Sequence, residues 1–262
     1  MSARPSPQNT PAKSRTARWS ISRRRGAAPA PTSCNYSGEA GMIIAFEGID
    51  GAGKSLASRL LCERLAARGL RAQLLTRDSV VFGDPFTDQR LKHLRTLIWP
   101  AEPEPEHDPL DAQFYLFLLA AWFSALRPYA ADVLPERCDV AVMDRSHFRV
   151  MAKAHLRIGL DLPWLQSLFA DALQPDLVIL LDIDPALAWQ RRSDFRSTEI
   201  GRWDGFAADP AQAFCGYQGS VRSVLTTIAA QQRWPVVMQT TALSQAELGD
   251  AVEALALAAL AK

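Results

Sequence analysis

Residues Gly48 to Ser55 read Gly-Ile-Asp-Gly-Ala-Gly-Lys-Ser, which meets the phosphate-loop pattern G-x-x-x-x-G-K-[ST] at every specified position. The flanks carry as much as the letters. Met42, Ile43, Ile44, Ala45 and Phe46 stand before the loop as a buried parallel strand would. Beyond it, Leu56, Leu60, Leu61 and Leu65 recur at helical spacing among Ser58, Arg59, Glu63 and Arg64, up to a stop at Arg68-Gly69. Strand, glycine loop and amphipathic helix therefore follow in the order that turns main-chain N–H groups and a helix N-terminus toward an anion.

The residue types fit one chemistry. Gly48, Ile49, Asp50, Gly51, Ala52, Gly53, Lys54 and Ser55 form a cradle for a nucleoside triphosphate, with ATP as the expected ligand. Lys54 would reach the β- and γ-phosphates, and the Ser55 hydroxyl would sit on a Mg2+ ion that bridges them. The competing reading, a chance glycine-rich turn, leaves the flanking strand and helix unexplained.

The bulk properties set the frame. A chain of 262 residues with 48% apolar content can hold one large α/β domain. Its formal charge of +1 hides an asymmetry, because Arg4, Lys13, Arg15, Arg18, Arg23, Arg24 and Arg25 face only Glu39 before the first strand. Residues 1–41, rich in Pro, Ser, Ala and Arg without apolar periodicity, are expected to be a disordered basic extension ahead of a 42–262 domain. Three readings compete for it: an organelle transit peptide, a basic arm for nucleic acid, and a non-native extension ahead of a start at Met42. The last is favoured because Met42 begins the strand.

Cys34, Cys62, Cys138 and Cys215 lie far apart, with no C-x-x-C pair. This suits neither a zinc site nor a disulfide framework and points to a reducing cytoplasm. The apolar run from Phe114 to Leu126 is too short to span a bilayer and reads as a buried helix ending near Arg127-Pro128. The expected partners are small nucleotides, without membrane or nucleic acid.

Along the rest of the chain, strands are expected at 71–76, 139–143, 177–181 and 235–238, with helices at 86–99, 148–158, 163–173, from Pro185, 211–232 and 244–260. Ser244 and Glu247 form a capping box for the last. The acidic, Pro-rich stretch 100–109 reads as a solvated connection. Alternation of this kind predicts a five-stranded parallel sheet with helices on both faces, and a ligand beyond the strand C-terminal ends.

Three segments in order, FEGIDGAGKS, then DRS at Asp144 to Ser146, then PDLVILLDIDP at Pro175 to Pro185 with Arg191 and Arg192 after it, resemble the thymidylate kinase family. The resemblance runs from Met42 nearly to the C-terminus. It implies the three-layer P-loop kinase fold with an Arg-rich lid. It implies Asp144 near the Mg2+ ion, Arg145 on the acceptor phosphate, and Asp50 on the sugar of the acceptor nucleotide, against a competing reading of Asp50 as a cap for its own loop. Arg191, Arg192, Arg196 and Arg202 fall where the family carries its lid. Since Ala52 stands where some members place an arginine, the catalytic arginine would come from that lid. The family also commonly pairs through long helices, which implies a homodimer.

The match also departs from the pattern. Thr76-Arg77-Asp78-Ser79-Val80-Val81-Phe82-Gly83 replaces the family's Thr-Arg-Glu-Pro-Gly-Gly, leaving Arg77 as a candidate phosphate contact and Asp78 as a candidate base toward a hydroxyl acceptor. The turn Leu118-Leu119-Ala120-Ala121-Trp122 lacks the base-reading arginine, so Trp122 or Phe117 would stack on the base. The expected activity is transfer of phosphoryl from ATP to a deoxynucleoside monophosphate, dTMP by default. A deoxynucleoside kinase or other small-molecule kinase is the alternative, and a nucleotide-binding protein without turnover is the second.

Overall fold

Five short apolar runs make the sheet: β1 (Met42–Glu47), β2 (Ala72–Leu75), β3 (Val140–Met143), β4 (Leu177–Ile183) and β5 (Val236–Gln239). All pair in parallel, in the order β2-β3-β1-β4-β5. The computed structural model describes residues 41–100, 110–192, 194–206 and 209–261. The expectations for the basic extension, and for nearly all of the acidic Pro-rich connection, lie outside the described residues.

Parallel neighbours need crossovers, and helices supply them. In chain order these are α1 (Lys54–Ala67), α2 (Pro85–Ile98), α3 (Ala112–Asp132), α4 (Leu134–Arg137), α5 (Phe148–Ile158), α6 (Leu162–Leu168), α7 (Pro185–Arg191), α8 (Ser197–Ile200), α9 (Pro210–Gln232) and α10 (Gln245–Leu260). Helices over both faces explain why β1 and β4 read as unbroken apolar runs instead of alternating ones. Ile44, Ala45, Phe46, Ile179 and Leu181 are wholly buried. The edge strand β5 does alternate, with Val236 and Met238 exposed and Val237 and Gln239 buried. On one side α1 packs against α10, and Arg64 ties them by ion pairs to Asp250 at 2.6 Å and Glu253 at 2.9 Å.

Three elements differ from the sequence expectation. The helix expected to end near Pro128 instead runs through it to Asp132. Its last turn is held by burial: Tyr129 is fully buried, its hydroxyl donates to the Ser79 carbonyl at 3.1 Å, and Ala130 packs beside it. The lost main-chain bond is therefore outweighed locally. Because Pro128 itself is exposed, Pro128→Ala is expected to raise stability by about 2 kcal/mol, read as a higher denaturant midpoint at unchanged slope. At 21 residues α3 is long and apolar enough to cross a membrane, which corrects the length argument. Yet Trp122, Phe123, Leu126 and Tyr129 are buried in the protein.

Helix α6 stops at Leu168, short of the expected 173. The chain turns away because the Leu173 N–H donates to the Phe123 carbonyl of α3, and Gln174 Nε2 caps the carbonyls of Phe169 and Ala172. Strand β4 runs two residues further than expected, to Ile183. That places Asp182 inside the sheet, where Arg222 of α9 grips it through Nε at 2.5 Å and Nη2 at 2.8 Å.

Candidate active site

The phosphate loop leaves β1 at Glu47 and enters α1 at Lys54. Gly48 has φ +147°, and a Cβ there would lie 2.5 Å from the Leu181 carbonyl oxygen. Only a residue without a side chain passes this point. The loop is also pinned from outside: the Asp50 N–H donates to Gln218 Oε1 of α9 at 3.1 Å, and Gln239 Nε2 at the end of β5 donates to the Ala52 carbonyl. No side chain caps the first turn of α1, so its leading amides are open to an anion.

Lys54 folds back over the loop, with Nζ donating to the Gly48 carbonyl at 2.9 Å and the Ile49 carbonyl at 2.7 Å. It is 8% exposed. Burial, and next the positive charge of Arg149, pull its ammonium down to about 7, against the opposing pull of Asp50 and Glu47. A triphosphate beside the amine would restore the proton. Nucleotide binding is therefore expected to take up a proton above about pH 7 and none well below it. Calorimetry at pH 8.5 in buffers of different ionisation enthalpy checks this; identical heats in all buffers would contradict it.

Ser55 and Asp144, assigned together to a metal site by sequence, are brought together. Ser55 Oγ donates to Asp144 Oδ2 at 3.0 Å, joining the first turn of α1 to the end of β3. Burial would raise the Asp144 carboxyl, but Arg145 beside it and the Ser55 hydroxyl hold it below its ordinary value. Arg145 lies along Asp144 at 3.3 Å, and its side chain is 49% exposed. The following Ser146 donates through N at 3.0 Å and Oγ at 2.6 Å to Glu47 Oε1, so the carboxylate at the end of β1 braces the Asp-Arg turn. Glu47 is fully buried, and burial pushes its carboxyl up.

The Asp50 carboxylate accepts from no amide of its own loop among the described residues, so it does not cap that loop. Its Oδ1 accepts from Arg149 Nη1, and its Oδ2 accepts from Lys153 Nζ at 3.0 Å and Gln218 Nε2 at 3.1 Å. Burial alone would raise this carboxyl, but Arg149, Lys153 and Lys54 outweigh it and hold it far below the usual range. The sequence reading missed Arg149, Lys153 and Gln218. A signal existed in the four-residue spacing of Arg149, Lys153 and Arg157 along α5, a stripe that reads as solvated until a carboxylate from another element is placed against it.

The remaining candidates are spread more widely. Arg191 donates to Gln239 Oε1 at 2.8 Å and the Thr240 carbonyl at 3.0 Å, at the end of β5. Arg192 is held by Asp194 at 2.9 Å and Glu199 at 3.0 Å. Arg196 is exposed at the start of α8, and Arg202 donates to the Phe206 carbonyl at 3.1 Å. In the loop after β2, the Arg77 guanidinium lies 5.5 Å over the Trp99 ring. Asp78 is 73% exposed, with Arg77 and Arg95 each at 3.6 Å. Trp122 is 4% exposed with Trp99 edge-on at 5.4 Å. It supplies core packing, which corrects the expectation of a stacking face there; Phe117, its alternative, is 48% exposed.

Comparison with known proteins adds an independent line. The thymidylate kinase family model matches residues 46–202. The chain is 30% identical over 151 residues to a probable thymidylate kinase of Sulfolobus acidocaldarius, covering 57% of this chain and 68% of that protein. It is 33% identical over 168 residues to the thymidylate kinase of Burkholderia cenocepacia, covering 60% and 72%, and 33% identical over 169 residues to that of Chromohalobacter salexigens, covering 63% and 74%. On this match over more than half of its length, which includes the phosphate loop and the Asp-Arg pair at the end of β3, the chain belongs to the thymidylate kinase family of phosphotransferases.

Proposed function

We propose that this protein transfers the γ-phosphoryl group of ATP to a deoxynucleoside monophosphate, dTMP by the names of its relatives, giving ADP and dTDP. The observation that carries the reading is the 3.0 Å bond from Ser55 Oγ to Asp144, which sets a hard-oxygen pair at the mouth of the phosphate loop. That donor set suits Mg2+, which keeps most of its waters and takes one or two protein oxygens beside substrate phosphates. When bound, the ion would neutralise phosphate charge. Lys54 would exchange its loop carbonyls for phosphate oxygens. Arg145, half exposed, presents a planar fork to the acceptor phosphate, and Arg77 is a second cation for the same purpose.

A phosphate acceptor is already ionised, so positioning and charge neutralisation suffice. A hydroxyl acceptor benefits from a carboxylate base. The candidate base Asp78 is solvent-exposed beside two arginines, and Glu47 is committed to Ser146. We read the setting as cytoplasmic, in keeping with free thiols at Cys62, Cys138 and Cys215. A homodimer is read from exposed Phe114 and Phe117 on α3.

ADP release measured with Mg·ATP and a panel of thymidine, dTMP and other deoxynucleoside monophosphates tests this. Turnover of dTMP without turnover of thymidine is expected. Turnover of thymidine alone would make the protein a deoxynucleoside kinase, and ATP binding without transfer to any acceptor would make it a non-catalytic binder.

A further inference from the structure

Arg149 is tethered on one side and open on the other. Its Nη1 donates to Asp50 Oδ1, its side chain is 16% exposed, and its other N–H groups meet no acceptor among the described residues. A guanidinium carries five donors in a rigid fork, so most of its hydrogen-bonding capacity is unspent. The tether is firmly seated. Asp50 is also bound by Lys153 and Gln218, and Gln218 returns to the loop through the Asp50 N–H while donating to the Glu199 carbonyl at 2.7 Å.

Three of the four lid arginines stand differently, and the fourth, Arg196, is exposed at the start of α8 without a tether to the phosphate loop among the described residues. Arg191, Arg192 and Arg202 are committed to Gln239 and Thr240, to Asp194 and Glu199, and to Phe206 respectively. Bringing one of them to a phosphoryl group breaks those bonds, whereas Arg149 need break none. It also faces the phosphate loop directly, since Asp50, the carboxylate it grips, is a loop residue four positions before Lys54.

We propose that Arg149 is the arginine that contacts the phosphoryl group in transfer, donating its open N–H groups to the equatorial oxygens, and that Asp50 is the positioning residue that presents it. The inference rests on the kinase reading above. In the step, the bond from the γ-phosphorus to its bridging oxygen breaks and an oxygen of the acceptor phosphate bonds to that phosphorus. ADP departs with the electron pair, and Arg149 keeps its protons throughout. Preorganisation by a buried carboxylate is what makes such a donor effective, since no reorganisation is needed during the reaction.

Steady-state kinetics and melting temperature of three variants test this. Arg149→Met is expected to lower kcat by about 10²-fold or more with KM for ATP within about threefold of wild type. Arg149→Lys keeps the charge and the pairing with Asp50 but not the fork, and should stay folded with kcat down by about tenfold. The double variant Asp50→Asn/Arg149→Met removes both charges of that pair and leaves Lys153, 27% exposed, to solvent, so its melting temperature should exceed that of Arg149→Met while kcat stays low. Recovery of kcat in the double variant, or wild-type kcat in Arg149→Lys, would overturn the proposal. Failure of the kinase reading looks different: the wild-type protein itself would then transfer no phosphoryl group to any nucleotide.

Discussion

Lys54→Met is expected to lower kcat for phosphoryl transfer by about 10³-fold or more, equivalent to about 4 kcal/mol of transition-state stabilisation. The ammonium is the only charge the loop itself carries into the phosphate cradle beyond Asp50, and a methionine stem fills the same buried space without it. Stability should change little. The Gly48 and Ile49 carbonyls lose a donor, but the buried repulsion between Lys54 and Arg149 is also lifted. Melting temperature should therefore stay within a few degrees of wild type, and the two readouts together separate a chemical defect from a folding one. A variant that keeps near-normal turnover would contradict the role given to Lys54.

Gly48→Ala should act through the fold. With φ at +147° and a Cβ placed 2.5 Å from the Leu181 carbonyl oxygen, the methyl group meets main chain of β4, which cannot swing aside as a side chain can. Backbone strain and overpacking each cost about 1–3 kcal/mol, so a loss of about 3 kcal/mol in denaturant unfolding is expected, together with loss of nucleotide binding. Binding should fail because the loop can relieve the clash only by moving its amides away from the phosphates. Wild-type stability in this variant would show that the loop does not pass β4 as described.

What could be read from the chain divides by the range of the interactions involved. The Gly48–Ser55 loop, β1 and α1 were legible because a strand, a turn and an amphipathic helix are each fixed by neighbours in sequence. The capping box of Ser244 and Glu247 was legible for the same reason and is present. Ser55 and Asp144 were each expected near a metal ion, Ser55 from the loop pattern and Asp144 from the family resemblance, but the bond that joins them is visible only in the fold. The partners of Asp50 were not legible, since Arg149 and Gln218 lie 99 and 168 residues away and only the packing of α5 and α9 beside the loop unites them. Long-range burial also overrode local rules: Tyr129 and Ala130 carry α3 past Pro128, and Trp122, read as a stacking surface from its place on the turn that lacks the base-reading arginine, packs edge-on against Trp99 in the core.

The central claim, that this loop passes the terminal phosphoryl of ATP to a nucleotide phosphate, is tested most directly by following label from γ-labelled Mg·ATP in the presence of dTMP. The account predicts labelled dTDP formed in equal amount with ADP, and none with Lys54→Met on the same timescale. Label that remains in ATP, or that appears as free phosphate without dTDP, would contradict it.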